Sequence, residues 1–335
     1  MNKTITIGHG SGGRLTHGLI GGVFFKYLGN DILERCEDAA LVNMGGGDIA
    51  FTTDSFVVKP AFFPGGDIGK LAVCGTVNDL AVTGARPMFI TCGFIIEEGF
   101  LLEDLEIIVK SMGEWAGKAG VKVAAGDTKV VEKGEADGIF INTSGIGSFN
   151  GDVRLSVDRI KPGDKVIISG TVGDHGIAVL SRRKGLEFGG DVRSDCAPLN
   201  KMLSGLIESV GGVRFMRDPT RGGLATTLNE ITGPGKFGIT IEEKDIPVRE
   251  EVRGACELLG LDPLYMANEG KAVIIADPSC AEDALSALKE NEYGKGAAVI
   301  GEITPFDAGM VCLRTRYGVR RIIDMLTAEH LPRIC

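Results

Sequence analysis

From about residue 39 to residue 325 the chain alternates short apolar runs with longer amphipathic stretches. Ile49-Ala50-Phe51-Thr52-Thr53 reads as a strand ending at Asp54, and 121–125 and 139–143 read as two more. Leu71, Cys74, Asn78 and Ala81 fall on one helical stripe, and Leu105, Ile108, Val109, Met112, Trp115 and Ala119 on another. The turn Lys161-Pro162-Gly163-Asp164 interrupts the pattern, which then resumes. A strand over 165–169 follows, then a helical stripe of Leu199, Met202, Leu203, Leu206, Ile207 and Val210, then strands over 272–276 and 297–300. Interleaving of this kind predicts an α/β (α+β) protein with a sheet and packed helices in each half.

The pattern divides the chain into an N-terminal arm over 1–35, domains over 36–155 and 156–325, and a flexible tail over 326–335. The arm carries Gly8-His9-Gly10-Ser11-Gly12-Gly13, a run of small residues with accessible backbone N–H groups. A length of 335 residues independently favours two domains, because single cores stop growing near this size. A net charge of −9 argues against a nucleic-acid binder, which needs a basic face. No run approaches the ~20 apolar residues of a membrane span, and the N-terminus lacks an apolar signal core. The expectation is a cytoplasmic protein with no membrane partner. The eight cysteines show no CxxC pair, so reduced thiols are expected. Seven of them read as buried small hydrophobes. The eighth, Cys335, is the last residue, and a tail thiol can enter a site and leave it.

Five acids stand where an apolar run gives way to a loop or helix: Asp38, Asp54, Asp79, Asp127 and Asp218. Each one alone reads as a cap or turn residue. Together they suggest carboxylates converging on Mg²⁺ and nucleotide phosphates, with nearby glycines admitting backbone N–H groups. No GxxxxGK[ST] loop is present, and the N-terminal glycines lack a preceding strand, so dinucleotide binding has little support.

The runs GHGSGGRLTHGLI, EDAAL, TTDSFVV, GTVNDLAVTGARP, AAGDTKVV, DPTRGGLA, NEGK and the terminal PRIC occur in that order. With them the chain resembles the hydrogenase-maturation carbamoyl dehydratases, a branch of the AIR synthetase-like (PurM-like) ATP-binding superfamily. The middle runs are shared more loosely with selenophosphate synthetases and thiamine-monophosphate kinases. The terminal PRIC is particular to the dehydratase branch. Selenophosphate synthetases carry a reactive Cys or selenocysteine near the N-terminus, whereas the first Cys here is Cys36.

The resemblance implies a PurM-like two-domain fold whose N-terminal sheet domains pair in a homodimer, with ATP and Mg²⁺ in a groove built from both chains. It implies metal or phosphate contacts from Asp38, Asp54, Asp79, Asp127 and Asp218. It implies nucleotide contacts from Asn78, Thr128, Gly222 and Gly223, with the Gly12-Gly13 arm folding over the nucleotide. The implied reaction converts a thiocarboxamide on Cys335 to a thiocyanate. The carbamoyltransferase HypF loads the thiol, and a HypC–HypD complex takes the cyanide. Such chemistry needs a base for the amide proton, for which Glu269 is the candidate, and a cation for developing oxygen charge, for which Lys129 is the candidate and Lys271 a weaker one. Arg333 could favour the Cys335 thiolate, weakly if exposed. His9, His17, His175 and His330 are assigned no role. A non-catalytic thiol carrier and a small-molecule kinase or synthetase of the same fold are the alternatives.

Overall fold

The computed structural model describes residues 4–10, 12–45, 47–149, 151, 155–186, 191–233, 235–326 and 333–335. Among them, the N-terminal half forms a five-stranded sheet in the order β1-β2-β5-β3-β4. Its strands are β1 (Ala40–Asn43), β2 (Asp48–Phe56), β3 (Arg86–Glu97), β4 (Lys122–Val131) and β5 (Ile139–Ser148). Only β3 and β4 pair in parallel. A parallel pair needs a crossover, and helix α3 (Leu102–Ala119) supplies it. Ahead of the sheet, the arm contains the short helix α1 (Arg14–Leu19).

Helix α2 (Ile68–Val82) starts at Asp67, whose carboxylate accepts the Gly69 and Lys70 N–H groups at 2.8 and 3.0 Å. The sequence predicts one apolar stripe here, but nearly the whole of α2 is buried. It lies between its own sheet and the C-terminal domain, so both sides are covered. Helix α3 is one-sided, with Ile108, Met112, Ala116 and Ala119 buried, although Val109 of the predicted stripe is exposed. The strand expected over 121–125 runs on to Val131, because β3 offers partners up to Glu97.

The C-terminal half holds a seven-stranded sheet in the order β12-β11-β8-β10-β6-β9-β7. These are β6 (Lys165–Ile168), β7 (Val213–Arg217), β8 (Gly238–Glu242), β9 (Val273–Ala276), β10 (Ala298–Thr304), β11 (Val311–Arg314) and β12 (Arg320–Ile323). Its helices are α4 (Asp174–Lys184), α5 (Asn200–Ser209), α6 (Gly223–Thr232), α7 (Glu250–Leu259) and α8 (Ala281–Glu290). Successive residues of β6 and β9 enter opposite cores. Val166, Ile168, Val273 and Ile275 pack with α6, while Ile167, Ile274 and Ala276 pack with α5 and α8. A sheet covered on both faces explains why β9 is apolar at every position and β6 at every position after Lys165.

The N-terminal sheet is covered on one face only. Phe51, Ile146 and Phe89 form a cross-strand row on the other face and stay 43, 39 and 41 % exposed. The edge strand β4 is exposed at almost every residue.

Candidate active site

Four of the predicted carboxylates meet at the seam between the domains. Asp38 precedes β1, Asp54 lies in β2, Asp79 in α2, and Asp218 directly follows β7. The Thr52 hydroxyl lies 2.9 Å from Asp79 Oδ2 and 3.0 Å from the Asp38 carbonyl oxygen. Arg217 Nε stands 3.2 Å from both Asp38 Oδ1 and Glu230 Oε2.

The guanidiniums of Arg217 and Arg221 do not balance this charge. Burial, with added repulsion from Glu230 and Glu37, lifts the Asp38 carboxyl to about 6 against the pull of Arg217. Burial first, then repulsion from Asp218, Asp54 and Asp38, raises Asp79 well above the ordinary range. Asp218 is raised in the same way by burial, Asp38 and Asp54. Burial raises Asp54, opposed by Arg221 and the Ser55 N–H. Surplus negative charge on hard oxygen donors fits a divalent cation such as Mg²⁺. Among the described residues no three His, Cys, Asp or Glu side chains converge closely enough to hold an ion unaided. Phosphate oxygens would have to complete the shell, as is usual for Mg²⁺ with nucleotides.

The phosphate side of such a site is also present. Gly222 and Gly223 open helix α6 with φ of +75° and +62°. A Cβ on Gly223 would stand 2.5 Å from the Met266 carbonyl oxygen, so the close approach needs glycine. The glycine arm lies against the same loop. Arg221 Nη1 donates to the Gly10 carbonyl at 3.1 Å, and Gly12, at φ +79°, gives its N–H to Thr16 Oγ1 at 2.9 Å. Gly13 leads into α1, and Ser11 lies outside the described residues.

Glu269 sits beneath the cluster at 3 % exposure, and its Oε1 has no protein hydrogen-bond partner. Burial raises its proton affinity well above the ordinary range, reinforced by Cys196, Asp218, Asp54 and Asp195. Its loop is pinned by Asp195, which accepts the Glu269 and Gly270 N–H groups at 3.2 and 3.3 Å and pairs with Lys271 Nζ at 3.3 Å. Asp195 and Arg217 are not among the sequence candidates. Arg217 directly precedes the DPTRGG run, whereas Asp195 belongs to no recognisable motif.

Other candidates stand elsewhere. Asn78 spends its side chain on backbone, donating to Ala197 and Glu269 carbonyls at 3.0 and 3.2 Å and accepting the Leu199 N–H at 2.8 Å. It ties α2 to the C-terminal domain. Asp127 and Lys129 pair with each other on the exposed strand β4. Asp127 shares a cross-strand row with Gly93, Asn142 and Ser55, whereas Asp54 shares the next row with Thr143 and Cys92. Adjacent rows face opposite sides, so Asp127 points away from the cluster of its own chain. Thr128 is one residue further along the same edge strand.

The end of the tail is docked. Val57 N–H donates to a terminal carboxylate oxygen of Cys335 at 3.0 Å, and Lys59 N–H to the Arg333 carbonyl at 3.2 Å. These partners directly follow β2, three and five residues beyond Asp54. Ile334 is 1 % exposed, and Cys335 packs against the core that contains Cys74, Cys196 and Ala267. The guanidinium of Arg333 turns to Asp137 and to the Val57 carbonyl, 2.9 Å from Nε. The expected partner for it was the thiol. Residues 327–332, including His330, lie outside the described set.

Two family models divide the chain. AIR synthase related protein, N-terminal domain, matches residues 36–149, and AIR synthase related protein, C-terminal domain, matches residues 161–311. Fold and site therefore define a two-domain protein of the AIR synthase related, PurM-like class. The carbamoyl dehydratase HypE of Bradyrhizobium diazoefficiens is 48 % identical over 100 % of this chain and 97 % of that protein. A crystal structure of the hydrogenase maturation protein HypE in complex with ATP is 49 % identical with a TM-score of 0.84, covering 99 % of this chain and 100 % of that one. HypE from a HypE–HypF complex is 52 % identical with a TM-score of 0.87, covering 92 and 99 %. The chain belongs to the HypE family of carbamoyl dehydratases. The family read from the motifs is thereby borne out.

Proposed function

We propose that the chain dehydrates a carbamoyl group carried on its own Cys335, using ATP and Mg²⁺, and so makes the cyanide ligands of a [NiFe]-hydrogenase iron. The observation that carries this reading is the docked terminal thiol. It packs against the core that holds Cys196 and Ala267, close to a buried Glu269 whose Oε1 lacks a protein partner and to four mutually repelling aspartates. The ATP complex of a 49 % identical relative supports the nucleotide. The HypE–HypF complex supports HypF as the source of the carbamoyl group.

The substrate is a thiocarboxamide, S–C(=O)–NH₂, and the product a thiocyanate, S–C≡N. The amide oxygen leaves with phosphate, and nitrogen loses both protons. Bound Mg·ATP supplies the phosphoryl group that makes this oxygen a leaving group. Asp38, Asp54, Asp79 and Asp218 would hold the ion, while Gly222 and Gly223 leave room for phosphates. Glu269, deprotonated, takes an amide proton. A carboxylate of raised proton affinity is a better acceptor for it than an ordinary one. A HypC–HypD complex then takes the cyanide.

Asp127, Thr128 and Lys129 enter the reading through a second copy. The bare row of Phe51, Phe89 and Ile146 and the open edge β4 are surfaces that homodimer pairing would cover. Pairing there could bring Lys129 of one copy toward the reacting amide of the other. Among the described residues no helix is long and apolar enough to cross a membrane, and the reading assigns the reaction to the cytoplasm.

Mass spectrometry of the C-terminal peptide tests the proposal. Incubation with carbamoyl-charged HypF should add one carbamoyl group, and Mg·ATP should then remove one water. Persistence of the carbamoyl species in the presence of Mg·ATP sinks it. A mere carrier would have no use for the carboxylate set, so full water loss in Asp79→Ala would also count against dehydration at this site.

A further inference from the structure

His175 was given no role by its sequence context, yet it touches the tail next to the thiol. It lies on α4 and is fully buried. Its Nε2 is 2.8 Å from the carbonyl oxygen of Ile334, and its Nδ1 is 2.8 Å from Ser194 Oγ. A backbone carbonyl only accepts, so the proton of this contact is on Nε2. The other end of the ring is consistent with that. The Cys196 N–H donates to Ser194 Oγ at 3.1 Å, which leaves the hydroxyl proton for Nδ1. The edge-on contact with Phe63, at 5.4 Å and 89°, holds the ring plane. Burial favours the neutral ring, with Lys70 adding to that effect and Asp195 and the Ile334 carbonyl opposing it.

The relay also spans the two domains. The Ser194 N–H bonds the Pro64 carbonyl at 2.8 Å on the N-terminal side, while α4 belongs to the C-terminal domain. We propose that Ser194 and His175 form a positioning pair that seats the tail: the hydroxyl fixes the ring tautomer, and the ring fixes the carbonyl one residue before the reacting thiol. His175 is a positioning residue, not a catalytic one. The proposal rests on the reading that Cys335 carries the substrate, but the seating itself requires no chemistry.

The test measures seating directly in the full-length chain. Cys335 is alkylated without nucleotide, and its rate is read on the C-terminal peptide by mass spectrometry. Buried Cys256 serves as an internal control, because it packs against Ile177 and Ala178 of α4 and registers any loosening of that helix. His175→Phe, which strands a buried carbonyl, should speed Cys335 alkylation about tenfold or more. Ser194→Ala should speed it less, and His175→Gln, which keeps a side-chain N–H donor, should restore part of the protection. Cys256 should stay slow throughout. Unchanged Cys335 rates in Ser194→Ala and His175→Phe overturn the proposal, and so does a rise matched by Cys256. If His175→Phe does not fold, Ser194→Ala and His175→Gln decide on the same criteria. A single-turnover measurement of water loss from the carbamoylated tail separates the two claims. Faster alkylation with no water loss even in the parent chain would refute dehydration and keep the seat. Normal water loss in the parent with unchanged alkylation in the variants would do the reverse.

Discussion

The carboxylate cluster and the tail seat share one interdomain seam, but they are built on opposite terms. In the cluster, Asp38, Asp54, Asp79 and Asp218 all hold protons more tightly than ordinary carboxyls, and Glu269 Oε1 is buried without a partner. In the seat, the carbonyls of Arg333 and Ile334 and the terminal carboxylate of Cys335 each accept a hydrogen bond from the body of the protein. Folded chains rarely tolerate dissatisfied buried polar groups unless something else completes them. The cluster is the part that a cation and nucleotide would complete. The seat is complete without them.

The sharpest way to break this contrast is to remove the base and leave everything else. Glu269→Gln should slow water loss from the carbamoylated tail by about 10²- to 10⁴-fold. Loading by HypF should be unaffected, as read on the same peptide. An unchanged rate would show that Glu269 is a buried structural carboxyl.

Next in size is the response to ligand. Saturating Mg·ATP, at about 100 times its Kd, should stabilise the chain by about 2.7 kcal/mol in a thermal or denaturant melt. The gain should grow with pH. The raised carboxyls bind protons more tightly folded than unfolded, so the unfolded chain holds fewer protons and ligand-free stability falls as pH rises. The fall should begin in the ordinary carboxylate range and continue through about 6, the value for Asp38, and beyond it for Asp79 and Asp218. A ligand-free stability that rises over this window would contradict the picture of a strained cluster.

A smaller effect separates binding from stability. Asp79→Asn removes one of the mutually repelling groups. It should raise ligand-free stability by about 1 kcal/mol while Mg·ATP binding, followed by calorimetry, is lost. The smallest expected effect lies in the seat. Arg333→Ala loses a partly exposed ion pair with Asp137 worth under about 1 kcal/mol, so Cys335 alkylation should rise only a few-fold.

Much of this arrangement was legible before the fold was known. The strand–helix alternation gave two α/β halves, and the one-sided stripe of α3 survived nearly intact. Asp38, Asp54, Asp79 and Asp218 could be picked out because each stands where an apolar run ends. Local pattern fails where position depends on a distant surface. Asp127 looked the same as the others, but strand pleat turns it to the opposite face. Asn78 looked like a ligand contact on a helical stripe, yet the C-terminal domain takes up its whole amide. His175 has no motif around it, and only the folded tail gives it a neighbour. The order of the motifs carried the family assignment, which no single element could.

The seat has a further consequence for traffic through the protein. Its described hydrogen bonds engage backbone oxygens and the Arg333 guanidinium, and none of these bonds uses the sulfur. A hydrogen, a carbamoyl or a cyano group on that sulfur leaves these hydrogen bonds the same. They cannot by themselves sort loaded from empty tails, since equal affinities shift no equilibrium. Sorting would have to come from the packing of the Cys335 side chain against the core, which the cargo changes, from loss of water and from capture by the acceptor.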